Sequence, residues 1–214
     1  MSDLRIKTCT VGPVGTNCYI VYREELKRGV VVDPGDNGGY ILNRCRELGV
    51  TPEAVVLTHG HFDHILAVDE VRRAFEAVTV YAGEREKKLL EDPGLNLTAQ
   101  FGSGAAVKAD VFVKDGDVLE LAGFQWKVLE TPGHTAGSVC FLIEGEDVLI
   151  SGDTLFAESL GRTDFPTGSS RQIVESIRKK LFVLPDDTMV YPGHGEPTTI
   201  GHEKINNPVA FYRE

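Results

Sequence analysis

Each histidine-rich motif in this chain stands at the end of a strand-like apolar run, so only folds that gather strand ends can bring these motifs together. Ala54-Val55-Val56-Leu57 leads into Thr58-His59-Gly60-His61-Phe62-Asp63-His64, which packs three imidazoles and a carboxylate into six positions. The run Phe124–Glu130 precedes Pro132-Gly133-His134, and Thr188–Tyr191 precedes Pro192-Gly193-His194. A fourth run, Asp147–Ile150, ends in Ser151-Gly152-Asp153-Thr154. Side chains on loops held by a rigid sheet can converge on one rim of a fold. Five of the six histidines and two aspartates are placed to do so.

The rest of the pattern alternates strand and helix. Arg5–Val11 and Asn17–Tyr22 read as strands joined by the turn formers Gly12-Pro13-Val14-Gly15. Val30-Val31-Val32 is a short buried strand that stops at Asp33-Pro34-Gly35. Tyr40, Ile41, Cys45 and Leu48 follow at near-helical spacing, with Gly49 as the cap. Ile65 to Phe75 reads as a helix, Val78–Tyr81 as a strand and Glu84 to Glu91 as a charged helix. Gly94 to Ala109 carries little periodicity and is expected to be a loop or short helix bordering a substrate site. Strands at Val118–Leu121, Phe124–Glu130, Ser138–Ile143 and Asp147–Ile150 follow, then a helix over Ser170–Leu181 and a strand at Thr188–Tyr191. Strand-first halves of this kind suggest two sheets packed face to face with helices outside. One domain spanning residues 1–214 is expected at this length.

Composition excludes several functions. An apolar content of 42% suffices for a core that holds a fixed site without disulfide help. The formal net charge of −10 repels a phosphate backbone, so nucleic acid is not an expected partner. The dense basic stretch Arg171–Lys180 is interleaved with Ile173, Val174, Ile177 and Leu181 and reads as a solvated helix face. No run reaches the roughly 18 apolar residues of a membrane helix. The start of the chain, Met1-Ser2-Asp3-Leu4-Arg5, lacks a signal-like apolar stretch. The four scattered cysteines, Cys9, Cys18, Cys45 and Cys140, form no C-x-x-C pair and read as buried small hydrophobes of a reducing, cytoplasmic compartment.

Histidine is the commonest metal ligand near neutral pH, and carboxylates suit a position between two cations. In His59-x-His61, alternate side chains point the same way on an extended backbone. Asp63-His64 begins the next helix, where the chain turns back. The two pairs can therefore serve two neighbouring cations. His202 stands alone in the tail and is not expected to be a ligand.

The T-H-x-H-x-D-H string, with the later His134, Asp153 and His194, resembles the metallo-β-lactamase superfamily of hydrolases. The resemblance runs from Gly15-Thr16-Asn17 to Gly193-His194-Gly195 and implies a four-layer αββα sandwich of two mixed sheets. Gly152-Asp153-Thr154-Leu155-Phe156, followed by Gly161-Arg162-Thr163-Asp164-Phe165-Pro166, is similar to the short bacterial forms of the glyoxalase II group. By that likeness one metal falls to His59, His61 and His134. The second falls to Asp63, His64 and His194, with Asp153 bridging. Zinc suits an imidazole-rich set, and iron and manganese are compatible with it.

The same likeness implies hydrolysis of a small-molecule thioester, such as S-lactoylglutathione, by a hydroxide generated at the cation pair. Asp63 would also orient the attacking water, and Arg162 would hold a substrate carboxylate in its guanidinium fork. Full-length glyoxalase II enzymes carry a C-terminal helical region that grips glutathione. Only Gly195 to Glu214 follow His194 here, so that grip is expected to be missing or replaced. One alternative is a persulfide dioxygenase with a single iron on His59, His134 and Asp153. The others are a non-catalytic metal-binding module and, disfavoured by the lack of an export signal, a β-lactamase.

Overall fold

The computed structural model describes residues 3–75, 77–101 and 104–212. Met1, Ser2, Glu76, Gly102, Ser103, Arg213 and Glu214 lie outside them. The first half forms a six-stranded mixed sheet, in which β1 (Leu4–Val11), β2 (Thr16–Arg23), β3 (Arg28–Val32), β4 (Thr51–Leu57), β5 (Thr79–Gly83) and β6 (Val111–Val113) lie side by side in chain order. The pairs β1–β2 and β2–β3 are antiparallel, and β3 to β6 run parallel. The second half builds another six-stranded sheet from β7 (Val118–Leu121), β8 (Phe124–Glu130), β9 (Val139–Ile143), β10 (Val148–Gly152), β13 (Met189–Pro192) and β14 (Thr198–Thr199). Its spatial order is β14-β13-β10-β9-β8-β7, and β10–β13 is its parallel pair. Between β10 and β13 lie the hairpin strands β11 (Leu155–Phe156) and β12 (Ser159–Leu160).

Strand alternation decides how these sheets stack. Val30, Val32, Ala54 and Val56 point inward and meet Trp126, Val128, Phe141 and Ile150 of the second sheet in one buried layer. The intervening Val31, Val55 and Leu57 point outward. They are covered by Ile41 and Cys45 of α1 (Gly38–Leu48), Ile65 of α2 (Phe62–Ile65) and Val68 and Val71 of α3 (Val68–Ala74). On the far face, Cys140, Leu149 and Val190 pack under Ile173 of a helix at Ser170–Ser176, Ile177 and Leu181. Three apolar layers between four structural ones make an αββα sandwich. All four cysteines are buried and free. Among the described residues no helix is long and apolar enough to cross a membrane.

Most expected elements form, and Gly49 caps α1 in the left-handed conformation. The helix expected from Ile65 to Phe75 is instead split in two. It starts earlier, at Phe62, and is interrupted where the Ala67 N–H donates to the Pro34 carbonyl at 2.9 Å rather than continuing the helical ladder. Gly35 explains the approach, because a Cβ there would lie 1.6 Å from the Asp63 carbonyl oxygen. The helix expected over Ser170–Leu181 becomes α-helical to Ser176 and then π-helical. Strands β6, β11, β12 and β14 and the helix Ile200–Asn206 carry too few apolar positions to be read from periodicity. Among its described residues the unpatterned stretch contains one short helix, Thr98–Phe101.

Candidate metal centre

Strand ends bring the motifs together as their placement requires. The loop after β4 carries His59 and His61, and α2 carries Asp63 and His64. The loops after β8, β10 and β13 supply His134, Asp153 and His194. His134 Nε2 lies 2.8 Å from His61 Nδ1 and 3.2 Å from His59 Nε2. His194 Nε2 lies 3.2 Å from Asp63 Oδ2, and His64 Nε2 lies 3.4 Å from the same oxygen. Asp153 stands between these two sets. Its Oδ1 is 3.4 Å from His64 Nε2, and its Oδ2 is 3.5 Å from His194 Nε2 and 3.6 Å from His134 Nε2. All seven side chains proposed from the sequence therefore meet, whereas His202 lies at the surface beside Glu158.

Hydrogen bonds on the far side of the His59, His64 and His134 rings decide which of their nitrogens faces the cluster. His134 Nδ1 donates to the Arg162 carbonyl at 2.7 Å, which leaves a lone pair on Nε2. His64 Nδ1 donates to Asp33 Oδ2 at 2.9 Å, which turns its Nε2 toward Asp63 and Asp153. The Thr58 hydroxyl donates to Asp33 Oδ2 at 2.6 Å and accepts from His59 Nδ1 at 3.2 Å. The Nε2 lone pairs of His59 and His134 thus face each other at 3.2 Å inside a buried site. The buried His64 Nε2 and Asp153 Oδ1 have no hydrogen-bond partner. Zinc–imidazole bonds of about 2.0–2.1 Å place neighbouring ligand atoms about 3.3 Å apart, close to the spacings seen. The donor set fits two divalent cations.

Electrostatics point the same way. Burial, helped by the neighbouring imidazoles, pushes His59 well below the usual histidine range and His61 down to about 3. Both are neutral, as ligation requires. Burial opposes the charge on His64, but Asp63, Asp153 and Asp33 outweigh it and hold His64 up to about 10. For Asp63 burial acts upward, yet His64 and the bonds from His194 and Thr16 keep its carboxyl far below the usual range. Three carboxylates around one imidazole make a strongly cation-seeking spot.

Sequence reasoning missed the groups that hold these ligands. Asp33 supports His64 directly and His59 through Thr58, so one carboxylate serves both sets. It adopts a left-handed backbone (φ 46°), a strained state for a non-glycine residue, held by bonds from its own N–H to Val56 and from Thr58 N–H to its carboxylate. Asp33 ends β3 as the histidine string follows β4, and parallel neighbouring strands deliver their ends to one rim. That was the available signal. Asp33→Ala is expected to weaken both cations about 10- to 100-fold, measured by competition with a chromophoric chelator. Unchanged affinity would remove its supporting role.

Two further supports cross the sandwich. Asn17 donates from its side chain to Pro192 and Gly195 carbonyls, and the Tyr19 hydroxyl donates to Pro192 at 2.6 Å, fixing the His194 loop to the opposite sheet. Glu86, fully buried, accepts from the Gly60 N–H at 2.9 Å and so holds the loop between His59 and His61. Burial pushes its carboxyl up to about 7, against the pull of that N–H. A raised carboxyl contributes stability that is lost as pH rises from about 4.5 to about 7. Glu86→Gln escapes that loss. In metal-stripped protein its stability relative to the parent should rise by up to roughly 3 kcal/mol across that window, measured by urea unfolding. Parallel pH profiles would contradict the assignment.

The site opens into a cavity of about 350 Å³. Phe62 and Phe165 wall it, as does Phe101 from the unpatterned stretch. Arg162 also lines it, but its guanidinium makes two 2.7 Å bonds to Asp164 and lies 3.8 Å from the centre of the Phe165 ring. A substrate carboxylate would have to compete with Asp164 for the expected fork. What Arg162 supplies directly is its backbone carbonyl, on His134.

Residues 11–194 match the family model described as the Metallo-beta-lactamase superfamily. The chain belongs to this superfamily. Among metallo-beta-lactamase relatives, the hydroxyacylglutathione hydrolase GloC of Haemophilus influenzae is 35% identical over 211 residues, 96% of this chain and 97% of its own length. The crystal structure of the BLEG-1 B3 metallo-beta-lactamase is 40% identical, with a TM-score of 0.89 over 95% of this chain and 98% of that one. TTHA1623, solved in a di-iron-bound form, is 35% identical with a TM-score of 0.83, covering 94% of this chain and 98% of its own. Superfamily membership, together with the clustered histidines and aspartates, implies bound divalent metal ions.

Proposed function

We propose that this protein is a metal-dependent hydrolase of small thioesters, with S-2-hydroxyacylglutathione compounds such as S-lactoylglutathione the first to test. The observation that carries the reading is the proton inventory of the cavity. Apart from the clustered His and Asp side chains, it is lined by Val14, Phe62, Phe101, Arg162 and Phe165. Among the described residues no lysine, tyrosine, serine or cysteine lines it. An amide nitrogen needs a proton to leave, whereas a thiol of pKa about 8.5 departs as its anion. A site without a spare acid suits the thioester. The 35% identity to a hydroxyacylglutathione hydrolase adds support.

When bound, a pair of divalent cations supplies a Lewis acid and brings the pKa of a water to near neutrality. His59, His61 and His134 would hold one, and Asp63, His64 and His194 the other. Zinc suits this set best, and iron or manganese would also fit. Asp153, placed between the sets, would join them. The Thr16 hydroxyl donates to Asp63 Oδ2 at 2.7 Å and fixes the carboxylate that orients the attacking water. The water oxygen bonds to the carbonyl carbon, the water proton passes to solvent, and the carbon–sulfur bond breaks with its electron pair going to sulfur. Phe62 and Phe165 wall the space in which this exchange takes place.

A second reading, β-lactam hydrolysis, is supported by the likeness to BLEG-1. A third, persulfide oxidation at one iron on His59, His134 and Asp153, leaves His61, Asp63, His64 and His194 without a role. Assays of the metal-loaded protein separate the three. We expect kcat/KM of at least about 10⁴ M⁻¹s⁻¹ for its best thioester. Faster turnover of a β-lactam, or oxygen uptake with a persulfide, would replace the thioester reading.

A further inference from the structure

Beside the imidazoles and carboxylates, the cavity has an apolar wall. The Phe62 and Phe101 rings stack with centroids 5.1 Å apart and an interplanar angle of 28°. Phe101 keeps 59% of its surface exposed, and Val14, on the β1–β2 turn, keeps 51%. All three line the cavity. Large apolar side chains left open together beside a reactive centre mark a surface that is covered when a ligand binds. Among the described residues the cavity's one basic side chain beyond the histidines is Arg162, on which Asp164 already occupies two donors. Among the described residues the charged groups beside Phe62 and Phe101 are the acids Asp36 and Asp63, so an anionic group laid on the aromatic side would lose hydration without a partner.

Resting on the thioester reading above, we propose that Phe62, Phe101 and Val14 form the specificity wall of the site and take the apolar acyl chain or aryl ring of the substrate. The polar thiol carrier then leaves through the cavity mouth. The site thus discriminates by acyl hydrophobicity: each methylene laid on the wall gains about fourfold in kcat/KM until the wall is covered. Phe62 is the neighbour of both His61 and Asp63, so a chain against its ring starts beside the reacting carbonyl.

The test is a series of N-acetylcysteamine thioesters, acetyl to hexanoyl and phenylacetyl, assayed with the metal-loaded protein. The neutral carrier is held constant, so only the acyl group varies. We expect kcat/KM to rise at least about tenfold from acetyl to hexanoyl. Phe101→Ala should flatten that slope, and Phe101→Leu should restore most of it. The ratio of long to short substrate is the readout, so a uniform loss from misfolding does not mimic the effect. A flat series in the parent protein or an unchanged slope in Phe101→Ala would overturn the proposal. If no thioester is hydrolysed at all, the functional reading itself fails, and the inference with it; hydrolysis without acyl discrimination removes the inference alone.

Discussion

Asp153→Ala is expected to lower turnover by roughly 10³-fold, about 4 kcal/mol of transition-state stabilisation, and to cost the protein at least one equivalent of metal. The reason is position. Asp153 lies within 3.6 Å of donor atoms from both sets, its Oδ1 near His64 and its Oδ2 near His194 and His134. Its removal would take away the carboxylate that stands between the two sets. A second consequence can be read in metal-stripped protein: with one of three carboxylates gone, His64, now held up to about 10, should titrate at lower pH. Asp153→Asn, which keeps the shape and loses the charge, should share both effects. Elemental analysis, steady-state kinetics and an NMR titration of His64 together decide it. Full turnover with two equivalents retained would refute the bridging position.

Gly193→Ala should damage the site through space alone. A Cβ at that position would lie 2.1 Å from Asp153 Oδ1 and 2.9 Å from His64 Cε1. The backbone cannot retreat, because the Gly193 N–H is bonded to Gly152 at 2.9 Å and its carbonyl accepts from Asn17 at 2.7 Å. The carboxylate or the whole His194 loop must move. Overpacking of this kind costs about 2–3 kcal/mol, a fall of roughly 5–10 °C in Tm for a chain of this length. Because the displaced groups belong to the cation sets, metal affinity should drop more than global stability does. Thermal melts with and without zinc measure both. A variant with parental affinity would show that this glycine is replaceable and the packing around Asp153 looser than the distances indicate.

The contrast between Asp153 and Asp33 shows what could be read in the letters. Metal ligands advertise themselves: three imidazoles and an acid within six positions are conspicuous, and each later ligand follows an apolar run and a glycine. Asp33 also ends an apolar run, Val30-Val31-Val32, but no histidine stands beside it to mark it as part of a site. Its partners His64 and Thr58 lie 31 and 25 positions away, brought near only because β3 and β4 are parallel neighbours. Arg162 was singled out for its guanidinium, but its contact with the site is a carbonyl oxygen that every residue possesses. Glu86 looked like one charge among many in Glu84–Glu91, yet it turns inward to hold Gly60.

The same distinction holds for the fold. Valine-rich strands such as β3 and β4 are plain because burial on both faces demands continuous apolar residues. The break between α2 and α3 was hidden because Ile65, Val68 and Val71 keep helical spacing across it. What interrupts the helix is a backbone bond to Pro34, a partner that local periodicity does not contain. The aromatic wall was half visible for a similar reason. Phe62 sits inside the metal motif, while Phe101 comes from a stretch with no pattern and reaches it only in three dimensions.

Calorimetric titration of metal-stripped protein with zinc near neutral pH, with elemental analysis of the product, probes the paired sets without reference to any substrate. Two tight equivalents should bind, one lost in His194→Ala and the other weakened in His61→Ala. Saturation at a single equivalent, or two equivalents that survive both substitutions, would contradict a shared two-cation centre.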